Sequence, residues 1–263
     1  MNALAGHANS FHSYSADEAL AGIAEAGYRY VELSAVPGWT EHVDVHADPA
    51  ATRVQLERYG LQAVSISGHS DLTTDAGLEH GLAVVRWAER FGVPIVNTAI
   101  GGHAHVDESE AAFLANIGTL ADAAQAAGLV IALEIHGDLM ASGAISVPLL
   151  DQIGHPAVKV NYDTANVEHY SGARAEDDLP AIADRVANVH LKDMRGGKGD
   201  WDFPAIGDGH VDFGRVLEIL RDAGYDGPYA VEIEFTGEPW PPLPAVIEAM
   251  RTSRETLARY GLT

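Results

Sequence analysis

The 263-residue chain contains no cysteine. That absence excludes disulfides, thiolate-bound zinc, iron–sulfur clusters and a cysteine nucleophile, so any metal must be held by oxygen and nitrogen ligands. Positive charge is scarce too: 16 Lys and Arg stand against 38 Asp and Glu, a formal net charge of −22. A surface this negative repels phosphate backbones and anionic membranes, which counts against nucleic-acid and membrane partners and against highly anionic substrates. No stretch approaches the roughly 18 apolar residues of a membrane span. The opening MNALAGHANSFHS has neither the basic nor the apolar region of a signal peptide. A cytoplasmic protein is the expectation. Also missing is a glycine-rich phosphate turn after an early strand, which weighs against an open doubly wound sheet.

What is present is a repeat. Hydrophobic residues make up 47% of the chain, enough for one large core. Helix-like stretches ending in Gly or a turn alternate with short apolar runs and polar loops. The runs are YRYVELS (28–34), LQAVSISG (61–68), PIVNTAI (94–100), VIALEIH (130–136), VKVNYD (158–163), VANVHLKD (186–193) and YAVEIEF (229–235), with a weaker first strand over 3–8. Helices are expected at 15–27, 48–59, 76–92, 107–127, 145–153, 176–185, 212–224 and 243–260. Ser15 and Asp107 are placed to cap them, and glycines such as those of ERYGL and ERFGV to end them. Eight β units alternating with eight helices predict an α/β fold, a closed (β/α)8 TIM barrel spanning 1–263 as a single domain.

Glu134, Asp163, His190 and Glu232 lie near the ends of four consecutive runs. A buried carboxylate or imidazole is costly unless paired or bound to a metal. Strand side chains alternate faces, so Glu134 and His136, Asn161 and Asp163, His190 and Lys192, and Glu232 and Glu234 share the inward face. One residue out of register, they would enter the helix layer beside Leu133 and Ile135, which offer no partners. Three carboxylates and an imidazole suit a divalent metal, Mn²⁺ first, with Mg²⁺, Co²⁺ or Zn²⁺ as alternatives. Such a metal polarises a sugar carbonyl and stabilises the enediolate formed when the adjacent carbon loses a proton. Glu134 and Glu232, from opposite sides of the barrel, are the expected acid–base pair. Two readings need no metal: Asp163, before Thr-Ala-Asn, can cap the next helix, and Lys192 can neutralise a carboxylate. Glu234 competes with Glu232 for the last ligand place, but Glu232 sits deeper.

The pieces EAGYRYVELS, SISGHSDL, ALEIHG, NYDTANV, NVHLKD and IGDGHVDFGRVLEILRDAGYDGPYAVEIE together resemble the sugar phosphate isomerase/epimerase superfamily. These are the xylose-isomerase-like TIM barrels of AP endonuclease 2 type, which include endonuclease IV. The resemblance covers essentially the whole chain and implies that Glu134, Asp163, His190 and Glu232 are the metal ligands. It departs from ketose 3-epimerases in having Asn166 where they carry a His, Met140 where they carry a second Glu, and Arg195 one position from their substrate arginine. His69 and His103 fall where endonuclease IV has zinc histidines, but Asn166 replaces another of its ligands.

The expected activity is therefore a metal-dependent isomerase or epimerase of a sugar or keto-polyol. An inosose-type dehydratase on the same site and a noncatalytic sugar-binding barrel are the alternatives. Substrate contacts are expected from His69, His136, Asn166, Lys192, Arg195 and Trp39, the last by stacking on a sugar ring. His7, His12, Glu41, His42 and Asn161 are further polar candidates. The proline-rich loop EFTGEPWPPLP marks either the mouth or a contact in a homo-oligomer.

Overall fold

The computed structural model describes residues 3–101 and 109–263. Its eight short strands are β1 (Leu4–His7), β2 (Tyr30–Ser34), β3 (Gln62–Ser67), β4 (Ile95–Thr98), β5 (Val130–Glu134), β6 (Val158–Asp163), β7 (Val186–Leu191) and β8 (Tyr229–Val231). All pair in parallel, each with the next, and β1 closes the ring by pairing with β8. This is the expected closed (β/α)8 barrel.

The helices among the described residues are α1 (Ala16–Glu25), α2 (Ala50–Tyr59), α3 (Asp75–Phe91), α4 (Glu110–Ala126), α5 (Gly143–Ile153), α6 (Asn166–Ser171), α7 (Ala175–Asp178), α8 (Phe213–Asp222) and α9 (Leu243–Ala258). Ser15 caps α1 in a reciprocal box with Glu18, as its spacing requires. Asp107 lies outside the described residues; α4 is capped by Ser109, which accepts from the Ala112 amide. Gly60 and Gly92 end α2 and α3 at φ of +66° and +88°, a conformation that favours glycine. The single helix expected over 176–185 is instead α7 followed by two short 3-10 turns, because Pro180 removes a backbone donor there. α6 begins three residues after Asp163 and has no counterpart among the expected helix ranges.

The apolar core fills the space between barrel and helices, where Trp87, Phe11, Phe113 and Tyr162 are fully buried. Each such side chain contributes roughly 1.5–3 kcal/mol relative to exposure. The barrel interior is different: strand alternation places a polar layer inside it. Glu32 accepts from Ser65 Oγ (2.6 Å), Asn97 Nδ2 (2.7 Å) and Asn188 Nδ2 (3.1 Å), and Asn188 also donates to Asn161 Oδ1 (3.0 Å). Register shifts between Val31 and Glu32 and between Val160 and Asn161 fall beside this layer. No described helix is long and apolar enough to cross a membrane.

Candidate metal centre and sugar site

Glu134 ends β5, Asp163 ends β6, His190 is the penultimate residue of β7, and Glu232 follows β8. One ligand atom from each lies within 4.8 Å of all the others, and all four residues are buried. Glu234 is not in this group; it pairs with Lys192 and accepts from Asn9 Nδ2 at 3.1 Å. The depth argument that preferred Glu232 agrees with that placement.

Five carboxylates, those of Glu32, Glu134, Asp163, Glu232 and Glu234, are buried around this floor. Lys192 is the one Lys or Arg whose charge reaches them among the described residues, at 3.3 Å from Glu232 and 3.6 Å from Asp163 Oδ2. That ammonium and the His190 imidazole, which against its burial is held above the usual imidazole range by Glu32, Glu134 and Glu232, are too few to neutralise five acids. Burial, with Glu134 and Glu232 close by, accordingly pushes the Asp163 carboxyl up to about 7 despite Lys192. Burial resists ionisation of Glu134 and Glu232 as well, but His190 and, for Glu232, Lys192 hold both well below the usual carboxylate range.

Two buried ligand atoms, Asp163 Oδ2 and His190 Nδ1, have no hydrogen-bond partner. His190 Nδ1 faces Glu134 Oε2 at 3.2 Å and Glu232 Oε2 at 3.4 Å. Orphaned donor atoms of oxygen and nitrogen type, in surplus negative charge, fit a hard divalent cation. Asp163 also caps α6 as foreseen, but only with Oδ1, which accepts from the Ala165 and Asn166 amides at 2.8 and 2.9 Å. Helix capping and metal ligation use different oxygens and are compatible.

The chamber above is lined by His7, Asn9, Ser67, His69, His136, Asn166, Tyr170, Lys192, Trp201 and the carboxylates of Glu134, Glu232 and Glu234. Four of the six expected substrate contacts are therefore in it. Asn166 donates to Glu134 Oε1 (3.0 Å), and His69 Nε2 lies 3.1 Å from Glu134 Oε2. Lys192 Nζ also sits 4.4 Å from the Phe203 ring centroid. The chamber leaves about 10 Å³ free, room for one ion or water, and shares Val36 and His69 with an adjoining hollow.

Arg195 and Trp39 are placed elsewhere. Arg195 is exposed and pairs with Asp202 at 3.1 Å, because its loop turns outward after Lys192. Trp39 lines an adjoining hollow of about 500 Å³, reached past Val36 and His69; it stacks on His12 and donates to Asn9 Oδ1 at 2.8 Å. His42 and Glu41 are occupied by backbone contacts to Tyr14 and Gly38. Met140, at the position of the second epimerase Glu, is fully buried. His103 lies outside the described residues.

Sequence reading passed over Glu32, Asn9, Tyr170 and Trp201. Glu32 had a usable signal, a lone acid inside the apolar run YVELS. Asn9 joins the first loop to the acids, donating to Glu232 Oε1 at 2.8 Å while accepting from Trp39 and Thr40. Tyr170 and Trp201 come from α6 and a long loop, where no periodicity marked them.

A closed parallel barrel with a carboxylate–imidazole cluster, able to hold a divalent metal, at the C-terminal ends of its strands is the layout of a TIM-barrel enzyme. Residues 20–256 match the xylose isomerase-like TIM barrel family model, and the chain belongs to that family. It is 28% identical over 238 residues to the L-ribulose 3-epimerase of Methylomonas sp. (strain DH-1), covering 82% of this chain and 78% of that enzyme. It is 25% identical over 172 residues to the L-ribulose-5-phosphate 3-epimerase UlaE of Salmonella typhi, covering 64% of this chain and 60% of that one. In structure it resembles the D-allulose 3-epimerase from Methylomonas sp. in complex with D-allulose, with a TM-score of 0.77 at 23% identity over 98% of this chain and 97% of that one. A xylose isomerase-like TIM barrel protein from Mycobacterium smegmatis in complex with magnesium gives 0.75 at 17%, over 99% and 98%.

Proposed function

We propose that the chain is a divalent-metal-dependent epimerase of a ketose, inverting the carbon next to the carbonyl. Glu134, Asp163, His190 and Glu232 would hold the cation, and Glu134 and Glu232 would move the proton. The observation that carries this reading is the disposition of the two glutamates: they reach the floor from β5 and β8 and flank His190 Nδ1 at 3.2 and 3.4 Å. The kinship with sugar 3-epimerases supports it.

When bound, a divalent cation acidifies the carbon next to the carbonyl and stabilises the charge left by its proton. The chain supplies the rest. Inversion requires one glutamate to enter as carboxylate and the opposite one as carboxylic acid, so the proton returned is not the one removed. Lys192 and Asn9 fix the Glu232 oxygens, and Asn166 and Asn161 fix those of Glu134. His69 and His136 line the wall available to hydroxyls. Chain-wide negative charge favours a sugar without phosphate.

The test is turnover of L-ribulose and D-allulose with added Mn²⁺ in D₂O, followed by proton NMR. Product should carry deuterium at the inverted carbon. Loss of water would assign the dehydratase reaction, and full retention of substrate hydrogen would remove the glutamate pair. Glu134→Gln and Glu232→Gln should each lower turnover by about two to four orders of magnitude. His190→Ala and Asp163→Ala should lose metal, by elemental analysis, while the barrel's circular dichroism is retained.

A further inference from the structure

Glu32 lies one layer beneath the cluster, fully buried, on a strand that contributes none of the four metal ligands. Its carboxylate collects five donors. Oε1 is 2.8 Å from His190 Nε2, 2.7 Å from Asn97 Nδ2 and 3.2 Å from His7 Nε2. Oε2 is 2.6 Å from Ser65 Oγ and 3.1 Å from Asn188 Nδ2. A carboxylate accepts at both oxygens, so a network of this kind leaves each partner one orientation.

Ser65 and the Asn97 and Asn188 amides already donate to both Glu32 oxygens, so Glu32 accepts on each. Of the two groups at His190 Nε2, Glu32 Oε1 at 2.8 Å is nearer than Asn161 Nδ2 at 3.2 Å, which puts the hydrogen on Nε2. With the Nε2 hydrogen engaged by Glu32, Nδ1, which faces Glu134 and Glu232, is the ring atom left to take a cation. The same logic fixes His7: Nδ1 accepts from the Asn9 amide at 3.1 Å, leaving Nε2–H for Glu32. His7 Nε2, which also lies 3.6 Å from Glu232 Oε1 and forms a second possible cation group with His190 and Glu232, thus carries its hydrogen toward Glu32 and offers no lone pair there.

We infer that Glu32 is the positioning residue of the metal centre, fixing His190 as the Nε2–H tautomer so that Nδ1 is the ligand atom, and keeping His7 out of the ligand set. The inference rests on the metal reading of the floor. Carboxylates behind a ligating imidazole orient the ring and raise its basicity, and their loss costs about tenfold to a hundredfold in metal affinity.

The test is Mn²⁺ binding, followed by the EPR signal of free Mn²⁺, to the native chain and to Glu32→Gln, with thermal unfolding of both metal-free proteins. The isosteric amide keeps the shape and one acceptor but removes the charge. The expected result is a Kd raised by about tenfold to a hundredfold in Glu32→Gln. A native chain that takes up no Mn²⁺ removes the metal reading and this inference together. A native chain that binds, with an unchanged Kd in the variant, overturns the inference alone. The second measurement needs no variant at position 32. In ¹⁵N-histidine-labelled native protein loaded with Zn²⁺, His190, assigned by its missing signal in His190→Gln, should keep hydrogen on Nε2 while Nδ1 shifts on ligation. Metal on Nε2, or hydrogen on Nδ1, overturns it even if Glu32→Gln does not fold.

Discussion

His136 is a buried base with a clear pH signature. Burial lowers its pKa to about 4, against the ordinary imidazole value of about 6.5 in the unfolded chain. Between those values the unfolded state binds the proton and the folded state does not, so stability falls as pH drops through that window. Part of the ring reaches solvent, which discounts the effect to on the order of 1 kcal/mol between pH 7 and 5. Urea unfolding of the metal-free protein should show this slope, and His136→Gln should reduce it, the lowered imidazoles of His7, His42 and His80 carrying the remainder. Asp163 gives a prediction of opposite use. With its carboxyl near 7, it is partly protonated at neutral pH, and ligation must expel that proton. Mn²⁺ affinity should rise from pH 6 to 8, and titration calorimetry in two buffers of different ionisation enthalpy should report proton release.

Among the elements, the loop after β7 depends on one side chain. Asp193 Oδ1 accepts from the Met194 and Val211 amides, and Oδ2 from those of Gly207 and Gly209 (2.8 and 2.9 Å). A Cβ at Gly209 would meet Asp193 Oδ1 at 2.2 Å, so the turn closes too tightly for any other residue. Asp193→Ala should cost on the order of 2–4 kcal/mol, read by denaturant unfolding, and should expose residues 196–211 to proteolysis. That loop also shows where the sequence was legible and where it was not. Strands with a polar end after an apolar run were readable because burial makes a carboxylate conspicuous; Glu134, Asp163, His190 and Glu232 came from that contrast alone. Glu32 met the same criterion but is followed by Leu33 and Ser34 rather than by a loop, so it did not look like a strand end. Arg195 and Trp39 lie away from the floor for another reason: their side-chain directions are set by loop contacts to Asp202, His12 and Asn9, which no periodicity encodes. β8 ends at Val231, short of the expected Phe235, because after Glu232 the backbone leaves the sheet and Phe235 bonds to Phe203 instead.

For the whole molecule, the −22 charge acts on every equilibrium. Self-repulsion opposes compactness and is screened as the Debye length shrinks from about 30 Å at 0.01 M salt to about 8 Å at 0.15 M. The melting temperature should therefore rise by about 2–4 °C over that range, a change of roughly 1 kcal/mol for a chain this long. Abasic duplex DNA should show no sub-micromolar gel shift even at low salt. Amines are as rare as cations in general: the lysines are Lys159, Lys192 and Lys198. Lys192 is locked among Glu232, Glu234 and Asp163 under the chamber, whereas Lys198 is exposed. An acylating reagent should mark Lys198 quickly and Lys192 only when the overlying side chains separate. The native chain thus carries its own stopwatch for chamber opening, readable as the ratio of two modified peptides in a mass spectrum.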